Sequence, residues 1–507
     1  MLRFFIVYSI CFIAQFSIAQ KEDYIWLGGY QYNENKRANG FAFDFNKKTF
    51  SIDYTTFPLG IEGNNASICD KEGNLLFYTN GRGVMNRFHQ VMPNGDSINA
   101  GEWADRFWGG EFNGYPGSQN TMILTDPNSV HGYYLFHKPI IYHPIIEDSS
   151  ELHFSYVDLN LDNGKGDVQQ KNIRYYEKQD VMSSYFSAVK HSNGSHWWII
   201  QPIEGDSIYL TFLLNENGIT RRQSQNSFQF FTRDKSNAAG RAVFSPDGTK
   251  YALYNYTDQL HVYDFDRETG LLSNHQKIIV FQDSSLNFGP FTGIEWSPNS
   301  RFIYTSSHLY LHQIDMWSSD PEDSVILIDT YNGTQDPFST HINYMAQGPD
   351  CRIYVFPKNG TYSLHVINKP DELGIACNFV QNGIKLPYPN GNGSIPNFPR
   401  FRVDEIDKCD PTISSVFGES VYYRREIEVF PSPSQGLYHV RMPENARDGH
   451  LVVTDINGKI IYQTAINSYE QIREIDISSF PSGNYNIEYY PRINPERVFY
   501  GRQVVKM

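Results

Sequence analysis

A turn followed by short strands recurs along the chain, and this repeat limits the possible folds more than any other feature. Its clearest copy is VFSPDGTKYALYNYTDQLHVYDFDRETG, residues 243–270, which predicts strands at Arg241–Phe244, Tyr251–Asn255 and His261–Phe265. The turn Ser245-Pro246-Asp247-Gly248 joins the first two strands, because proline presets φ and Asp-Gly tolerates the left-handed region. A meander this short cannot bury its apolar faces alone, so further copies must pack beside it.

Five more copies are present. Trp296-Ser297-Pro298-Asn299-Ser300 opens one, with Ser297 52 residues after Ser245, and Gly348-Pro349-Asp350-Cys351 opens the next, 51 residues further on. Earlier copies begin at the turns 191–194, 126–128 and 70–73. Units of roughly 50–65 residues, each consisting of a turn and short strands, are typical of a β-propeller. A β-sandwich is the alternative, but sandwiches do not repeat at this interval.

The two ends of the repeat region predict how the ring closes. Residues 24–57 read as strands without the opening turn, and the last repeat runs on through 379–401. A propeller commonly closes by completing one blade from both ends of the chain, which leaves no free sheet edge. We therefore expect an all-β propeller over residues 24–403, with one shared blade and seven blades in total. Six blades is the alternative count.

Residues 1–19 have the pattern of a cleaved export signal. Arg3 is their only charge, residues 4–16 are mostly apolar, and Ser17-Ile18-Ala19 forms a small-x-small cleavage site before Gln20. The apolar run is too short for a membrane span, so we expect no transmembrane segment after cleavage. A lipoprotein signal at Cys11 is disfavoured, because no small residue stands just before the cysteine.

Composition agrees with an exported, strand-rich chain. The sequence is 15% aromatic and only 19% charged, and its net charge is -14. An acidic surface disfavours nucleic acid and anionic membranes as partners.

Four cysteines follow the signal, and an oxidising compartment would permit disulfides among them. They are Cys69, Cys351, Cys377 and Cys409, which allow three connectivities. Cys351 and Cys377 lie in the same repeat and are the favoured pair.

Several segments of the repeat region carry a family resemblance. They are EGNNASICDKEGNLLFYTNGRGVMN, VMPNG, SYVDLNLDNGKGDV, AVKHSNGSHWWII, VFSPDGTKYALY, QGPDCRIYVF and IPNF. Together they resemble the exported β-propeller proteins of Bacteroidetes-type bacteria, over roughly residues 24–403. The resemblance implies the fold and export, but no ligand, because these proteins share no established chemistry.

A second module follows a polar linker at 404–425. Residues 426–507 resemble the type A C-terminal sorting domain of the type IX secretion system, a small β-sandwich. The matching residues are Pro431, Pro433, Gly436, Asp455, Gly458, Lys459, Pro481, Gly483, Tyr485 and Lys506. Ser432 stands where the family more often has Asn. The resemblance implies passage through the periplasm, handling by the type IX machinery, and release or display at the cell surface.

The sequence contains none of the common motifs for catalysis or cofactor binding. It has no G-x-S-x-G elbow, no HExxH, no P-loop and no dinucleotide fingerprint, so we predict no cofactor. Residues 158–164, DLNLDNG, partly match a calcium loop, but the glycine is one place late and Gln169 replaces the expected Glu. An ordinary turn is the favoured interpretation there.

Two function classes remain open. In the first, the chain is a binding module with a ligand face that includes Trp103, Trp108, Tyr115 and His191, since aromatic platforms suit sugars and peptides. These aromatics are equally suited to pack their Gly-rich insert onto its own blade. In the second, the chain is an exported hydrolase, lactonase or lyase with a metal in the central channel. Its candidate ligands are Glu62, Asn120, His191 and Glu295, which otherwise read as strand-end and turn residues.

Overall fold

The computed structural model describes most of the chain after the signal. The described residues are 20–32, 38–47, 51–101, 114–140, 149–182, 184–203, 207–226, 240–280, 291–391, 394–403, 409, 423–443, 446, 448–456, 460–467, 470–491 and 498–507. The predicted signal 1–19, Trp103, Trp108, Gly458, Lys459 and nearly all of the linker lie outside them.

Seven sheets of the described residues form the propeller blades. Blade 1 is β1 (Ile25–Tyr32), β2 (Ala38–Asp44) and β3 (Ser51–Phe57); blade 2 is β4 (Asn64–Cys69), β5 (Leu75–Thr79) and β6 (Val84–Asn86); blade 3 is β7 (Thr121–Thr125), β8 (Gly132–His137), β9 (Ser149–Asp158) and β10 (Asp167–Met182); blade 4 is β11 (Ser187–Lys190), β12 (Trp197–Pro202), β13 (Ile208–Asn215) and β14 (Gly218–Asn226). Blade 5 is β15 (Arg241–Phe244), β16 (Lys250–Asn255), β17 (Gln259–Asp266) and β18 (Leu271–Ile278); blade 6 is β19 (Thr292–Trp296), β20 (Phe302–Ser307), β21 (Tyr310–Asp315) and β22 (Ile326–Thr330); blade 7 is β23 (Tyr344–Gln347), β24 (Ile353–Phe356), β25 (Thr361–Ile367) and β26 (Phe379–Asn390). A two-residue strand, β27 (Ile395–Pro396), joins blade 2 on the inner side of β4.

Helical structure is confined to short turns within the described residues. Three 3-10 helices span Asp162–Gly164, Glu322–Ser324 and Gly374–Cys377. None of the helices described is long and apolar enough to cross a bilayer. The predicted all-β propeller is therefore confirmed, and its count of blades is seven.

The opening turn of each repeat has a local reason for recurring. In blade 5, Ser245 Oγ accepts a hydrogen bond from the Lys250 amide (3.0 Å), and Gly248 adopts φ 70° while its amide bonds to Ser245 O. The equivalent fourth turn residue is also left-handed in blades 6 and 7, where it is Ser300 (φ 61°) and Cys351 (φ 68°). In all three blades the amide of the left-handed fourth residue bonds to the carbonyl of the first, which closes the hairpin between the two inner strands. In blades 5 and 6 the hydroxyl of the first residue, Ser245 or Ser297, adds a further hydrogen bond.

Apolar clusters fill every junction between neighbouring blades, and this closes the ring. Leu27 and Tyr78 meet between blades 1 and 2, while one large cluster joins blades 2, 3 and 4. The other four junctions hold the same kind of contact, for example Trp198 with Tyr251, Leu260 with Ile294, Tyr304 with Ile353, and Trp26 with Tyr354. Stacked faces of this kind are what a short meander needs to be stable.

Closure differs in detail from the expected shared blade. The N-terminal strands form a three-stranded sheet of their own, and the C-terminal strand β27 pairs with β4, in parallel, rather than with β1. The strand β1 runs opposite to β4: Ile25 O accepts from Ser67 near the end of β4, whereas Gly29 is linked through Ser394 to Ile61, ahead of β4. The innermost described strand of blade 1 therefore runs opposite to the inner strand of blade 2, and Ser394 lies beside it.

The favoured pairing of Cys351 with Cys377 is wrong. Cys351 is bonded to Cys409, with Cα atoms 5.2 Å apart, while Cys377 and Cys69 are buried free thiols. Cys351 is the turn residue of blade 7 with left-handed backbone, and there it bonds to Cys409, which follows the propeller in sequence. Cys377 instead packs with Phe302 and Tyr304 of blade 6, so it points into the junction between two blades.

The C-terminal module is a two-sheet sandwich, as the resemblance to the sorting-domain family implies. Its sheets are β28 (Tyr423–Glu426), β35 (Val498–Lys506), β34 (Gly483–Pro491), β31 (Gly449–Asp455) and β32 (Ile460–Ile466), facing β29 (Glu428–Phe430), β30 (Leu437–Arg441) and β33 (Ile472–Asp476). A core that includes Tyr438, Leu451 and Ile487 is shared between them. Its first strand begins at Tyr423, three residues before the predicted boundary.

We expect limited trypsin digestion to cut first between Asp404 and Arg425, in the predicted linker. Cleavage after Lys408 would leave Cys409 on the C-terminal fragment, which the disulfide still ties to Cys351. Such a product runs as one band on a non-reducing gel and as two bands after reduction. Early cleavage inside a blade, with the linker intact, would contradict the division into ring and module.

Candidate functional site

The central channel is the first place to look for chemistry, because the inner strands of all blades meet there. In this chain the channel contains residues 394–403, which we call the axial segment. It follows blade 7 and runs in the direction of the inner strands, since Ile395 pairs in parallel with Asn64 and Arg400 with Val189.

Asn397 fixes the axial segment to blades 2 and 3. Its amide donates to Asn65 O (3.2 Å), its side-chain Nδ2 donates to Thr121 O (3.0 Å), and its Oδ1 accepts from Gln119 Nε2 (3.3 Å). Gln119 also bonds both the amide and the carbonyl of Ala242 in blade 5. One buried side chain therefore connects the segment to strands on two sides of the channel.

Arg400 reaches the next four blades. Its amide donates to Ala188 O (3.1 Å) and its Nε to Phe244 O (2.8 Å). Its Nη1 donates to Gln347 Oε1 (3.1 Å), and its Nη2 forms an ion pair with Glu295. Only 6% of the Glu295 side chain is exposed, so this is a largely desolvated pair with further hydrogen bonds around it.

The two ends of the axial segment hold blade 1. The Gly29 amide donates to Ser394 Oγ (3.4 Å), and that hydroxyl donates to Ile61 O. At the other end, Arg402 Nη2 donates to Asp23 Oδ2 (2.7 Å), just before β1. The axial segment thus contacts all seven blades, and the open space left beside it is a cavity of about 70 Å³.

The four candidate metal ligands do not come together. Asn120 lies just before β7 with its Nδ2 bonded to Pro116 O (2.9 Å), while His191 follows the end of β11. Because the inner strands of these blades share one direction, those two residues lie at opposite faces of the propeller. Glu295 is held by Arg400, and Glu62 lies ahead of β4 with its pKa raised by burial. Among the described residues, no three His, Cys, Asp or Glu side chains are grouped to hold a metal.

The residues of the predicted ligand face also lie in different parts of the propeller. Tyr115 is 1% exposed, and its hydroxyl accepts from the Ile140 amide (2.7 Å), which places its ring in the interior. Burial raises its pKa to about 12. His191 lies in an exposed turn and stacks on Trp198, with ring centroids 5.6 Å apart. These two residues therefore do not share a surface, and the other two, Trp103 and Trp108, lie outside the described residues.

The predicted turn at Asp158 is present. Asp158 Oδ1 accepts from the Asn160 amide (2.9 Å), and Asp162 forms an ion pair with Lys165. The carboxylates of this loop are thus engaged locally.

In the C-terminal module, motifs far apart in sequence meet at one end of the sandwich. The Pro431–Gly436 loop holds the strand that ends at Lys506: the Val505 amide donates to Ser432 Oγ (3.2 Å), and Ser434 bridges to Lys506. Ser432, the departure from the family pattern, therefore supplies a hydrogen bond here. Gly436 adopts φ 114°, and a Cβ there would lie 2.6 Å from Ser478 Cα, so glycine is required.

The second half of this end is formed by the Pro-x-Gly-x-Tyr motif. Gly483 pairs with Lys506 and Asp455 with Tyr485, and Tyr485 Oη donates to Pro481 O (2.7 Å). An open groove lies between the end of β31 and this loop, beside the exposed Ile456. We call this surface the sorting pole; it comprises 431–436, 455–456, 480–485 and 504–507.

Residues 428–492 match the family described as secretion system C-terminal sorting domain. The C-terminal module is a type IX secretion sorting domain. It marks the chain for handling by the type IX secretion machinery and for export to the medium or the cell surface.

Solved structures resemble the chain only distantly. A crystal structure of a protein from Lactobacillus plantarum has 13% identity, a TM-score of 0.43, and covers 72% of this chain and 97% of its own. A functionally unknown protein from Desulfotomaculum acetoxidans has 12% identity and a TM-score of 0.38, covering 73% and 98%. A gluconolactonase from Xanthomonas campestris has 11% identity and a TM-score of 0.28, covering 67% and 94%. No curated protein matches the chain.

The role of the axial segment does not follow from the repeat pattern. The sequence feature that indicates it is the run NFPRFR at 397–402, in which two arginines alternate with apolar residues after the last repeat. Charged residues at such a place need buried partners, and here they find Glu295 and Asp23 on other blades.

We expect Arg400→Met to destabilise the propeller by about 3 kcal/mol, because it leaves the buried Glu295 carboxylate without its cation. The measurement is the urea midpoint of the full chain, followed by tryptophan fluorescence. Adding Glu295→Gln should recover part of the loss, since the buried carboxylate that lost its partner is then removed. Arg301→Met, which removes the more exposed pair with Asp315, is the matched control. A loss for Arg400→Met no larger than that of the control would contradict the role of the axial segment.

Proposed function

We propose that this chain is an exported binding protein, whose propeller holds a partner while its sorting domain delivers it to the surface or medium. The observation that carries the proposal is the filled channel. A propeller enzyme with an axial metal needs an open axis and convergent ligands. Here the chain's own residues 394–403 occupy that axis, and Glu295 is committed to Arg400.

An exposed apolar surface on the outer side of blades 6 and 7 supports a binding role. It comprises Trp317, Ile326, Leu327, Leu373 and Ile375, which we call the apolar rim. Gln313 connects its two parts, since Nε2 donates to Glu372 O and Oε1 accepts from the Gly374 amide, both at 2.8 Å. Gln313 is paired with Ile326 across the sheet, so the rim crosses from one blade to the next. A contiguous exposed apolar surface marks an interaction site, and we infer that these side chains together provide one.

The chemistry of the rim favours a protein partner over a glycan. Four of its five side chains are aliphatic, and aliphatic groups bury well against apolar protein surface. Sugars instead stack on flat aromatic faces, which the rim offers only at Trp317.

We expect the Leu373→Glu/Ile375→Glu variant to lose at least tenfold in affinity for partners captured by the purified propeller from outer-surface extracts. Both side chains are exposed, so the substitutions should leave folding intact, and a charge buried in an apolar contact is costly. Val130→Glu changes an equally exposed residue of blade 3 and is the matched control. Unchanged capture by the rim variant, or capture only of glycans on an array, would contradict a protein partner at this surface.

The alternative is an exported hydrolase, lactonase or lyase. It predicts stoichiometric metal in the purified chain and turnover of a lactone or glycan panel that His191→Ala abolishes. Those two results together would replace the binding proposal.

Export itself depends on the sorting pole in this proposal. Deleting 423–507 should leave a folded propeller in the periplasm, because the export signal carries the chain only across the inner membrane. Fractionation with an antibody against the propeller measures this. Normal levels of truncated protein at the surface or in the medium would show that the sorting domain is dispensable.

Variants of two exposed isoleucines in the C-terminal module can distinguish a loss of recognition by the secretion machinery from a loss of folding. Ile456 is 71% exposed at the sorting pole, and Ile472 is 51% exposed at the far end of β33. We expect Ile456→Glu to reduce export several-fold and Ile472→Glu to leave it unchanged, with both modules folded. Equal export of the two variants would place recognition elsewhere on the module.

A further inference from the structure

A small cavity remains in the channel beside the axial segment. Its volume is about 70 Å³, and its walls include Gln119, Arg241, Glu295, Met345 and Arg400. This is room for a few water-sized groups, and far less than a pocket for a metabolite or drug requires.

Arg241 is the unusual group of this cavity. It is 3% exposed at the start of the inner strand β15, and its Nε and Nη1 atoms are buried without a hydrogen-bond partner among the described residues. Its guanidinium lies over the Tyr344 ring, 5.7 Å from the centroid. Burial lowers the pKa of Arg241 to about 10, so the group still carries its charge at neutral pH.

The other charges around the cavity are matched. Arg400 forms its ion pair with Glu295, and Arg402 forms one with Asp23. Glu295 Oε1 also accepts from the Trp296 amide and Oε2 from the Gln347 amide. Glu295 also lies near enough to Arg241 to favour its charged form, but it forms its ion pair with Arg400. The three cations Arg241, Arg400 and Arg402 thus face only the two carboxylates of Glu295 and Asp23, which leaves one net positive charge among these five groups.

We propose that the Arg241 cavity binds one small monovalent anion, a halide or a short carboxylate such as formate. A buried guanidinium with free N–H donors is costly unless an anion accepts from it, and such charge-assisted bonds are strong. The limited space and the single uncompensated charge select against dianions and larger carboxylates. This site is separate from the apolar rim, and its occupant stabilises the ring.

The test is thermal unfolding of the mature chain at constant ionic strength, with gluconate replaced stepwise by chloride, bromide or formate. A bound anion should raise the unfolding midpoint by about 2–4 °C in a saturable way. The rise should be absent in Arg241→Met and preserved in Arg301→Met. Halide and formate series identify the preferred anion. An identical, unsaturable response in all three proteins would overturn the proposal.

A second measurement does not depend on the variant folding. Crystals of the unsubstituted chain soaked in bromide, or in formate for a carboxylate-selective site, should show the anion against the Arg241 guanidinium. Bromide is identified by its anomalous signal. An empty cavity in both soaks would overturn the proposal as well.

Discussion

The hydrogen bonds of the axial segment are the constraint on which the propeller depends. Ten residues contact every blade, chiefly through Ser394, Asn397, Arg400 and Arg402. Apolar clusters hold neighbouring blades together, but each cluster is local to its own junction. Among the described residues, the axial segment contacts all seven blades, which no single apolar cluster does. It therefore serves the purpose that a blade completed from both chain ends serves in other propellers, namely to prevent the ring from opening at its weakest junction.

The axial segment occupies the channel with two ion pairs and a buried amide network, and a cavity of about 70 Å³ lies beside it. This arrangement supports the proposal that partners bind on the outside of the ring. The disulfide between Cys351 and Cys409 adds to this, because it fastens the chain to blade 7 soon after the axial segment ends. An oxidising compartment is the setting in which such a bond persists. The disulfide and the C-terminal sorting domain therefore both fit an exported protein.

Local chemistry explains what could be predicted and what could not. The turn at Ser245–Gly248 and the strands around it follow from neighbouring residues, so the repeat and the propeller were readable from sequence. Asn397 and Gln119 are 278 residues apart, and Arg400 and Glu295 are 105 apart, so no local pattern joins them. The true partner of Cys351 depends on where the axial segment leaves the ring. Tyr115 belongs to an aromatic, Gly-rich insert of the kind that forms binding loops, and only the fold shows that its ring lies in the interior.

On the proposal that the secretion machinery recognises the sorting pole, export would depend on the folding of the whole C-terminal module. Ser432 and Val505, which bond to each other there, are 73 residues apart, and Asp455 and Tyr485 meet only when β31 pairs with β34. An unfolded or partly synthesised module would lack this surface, although it contained every motif in order. Recognition of the assembled pole, unlike recognition of a linear peptide, would therefore select chains whose sandwich has folded. A side chain at position 436 would collide with Ser478, so a single substitution there would also disturb the surface.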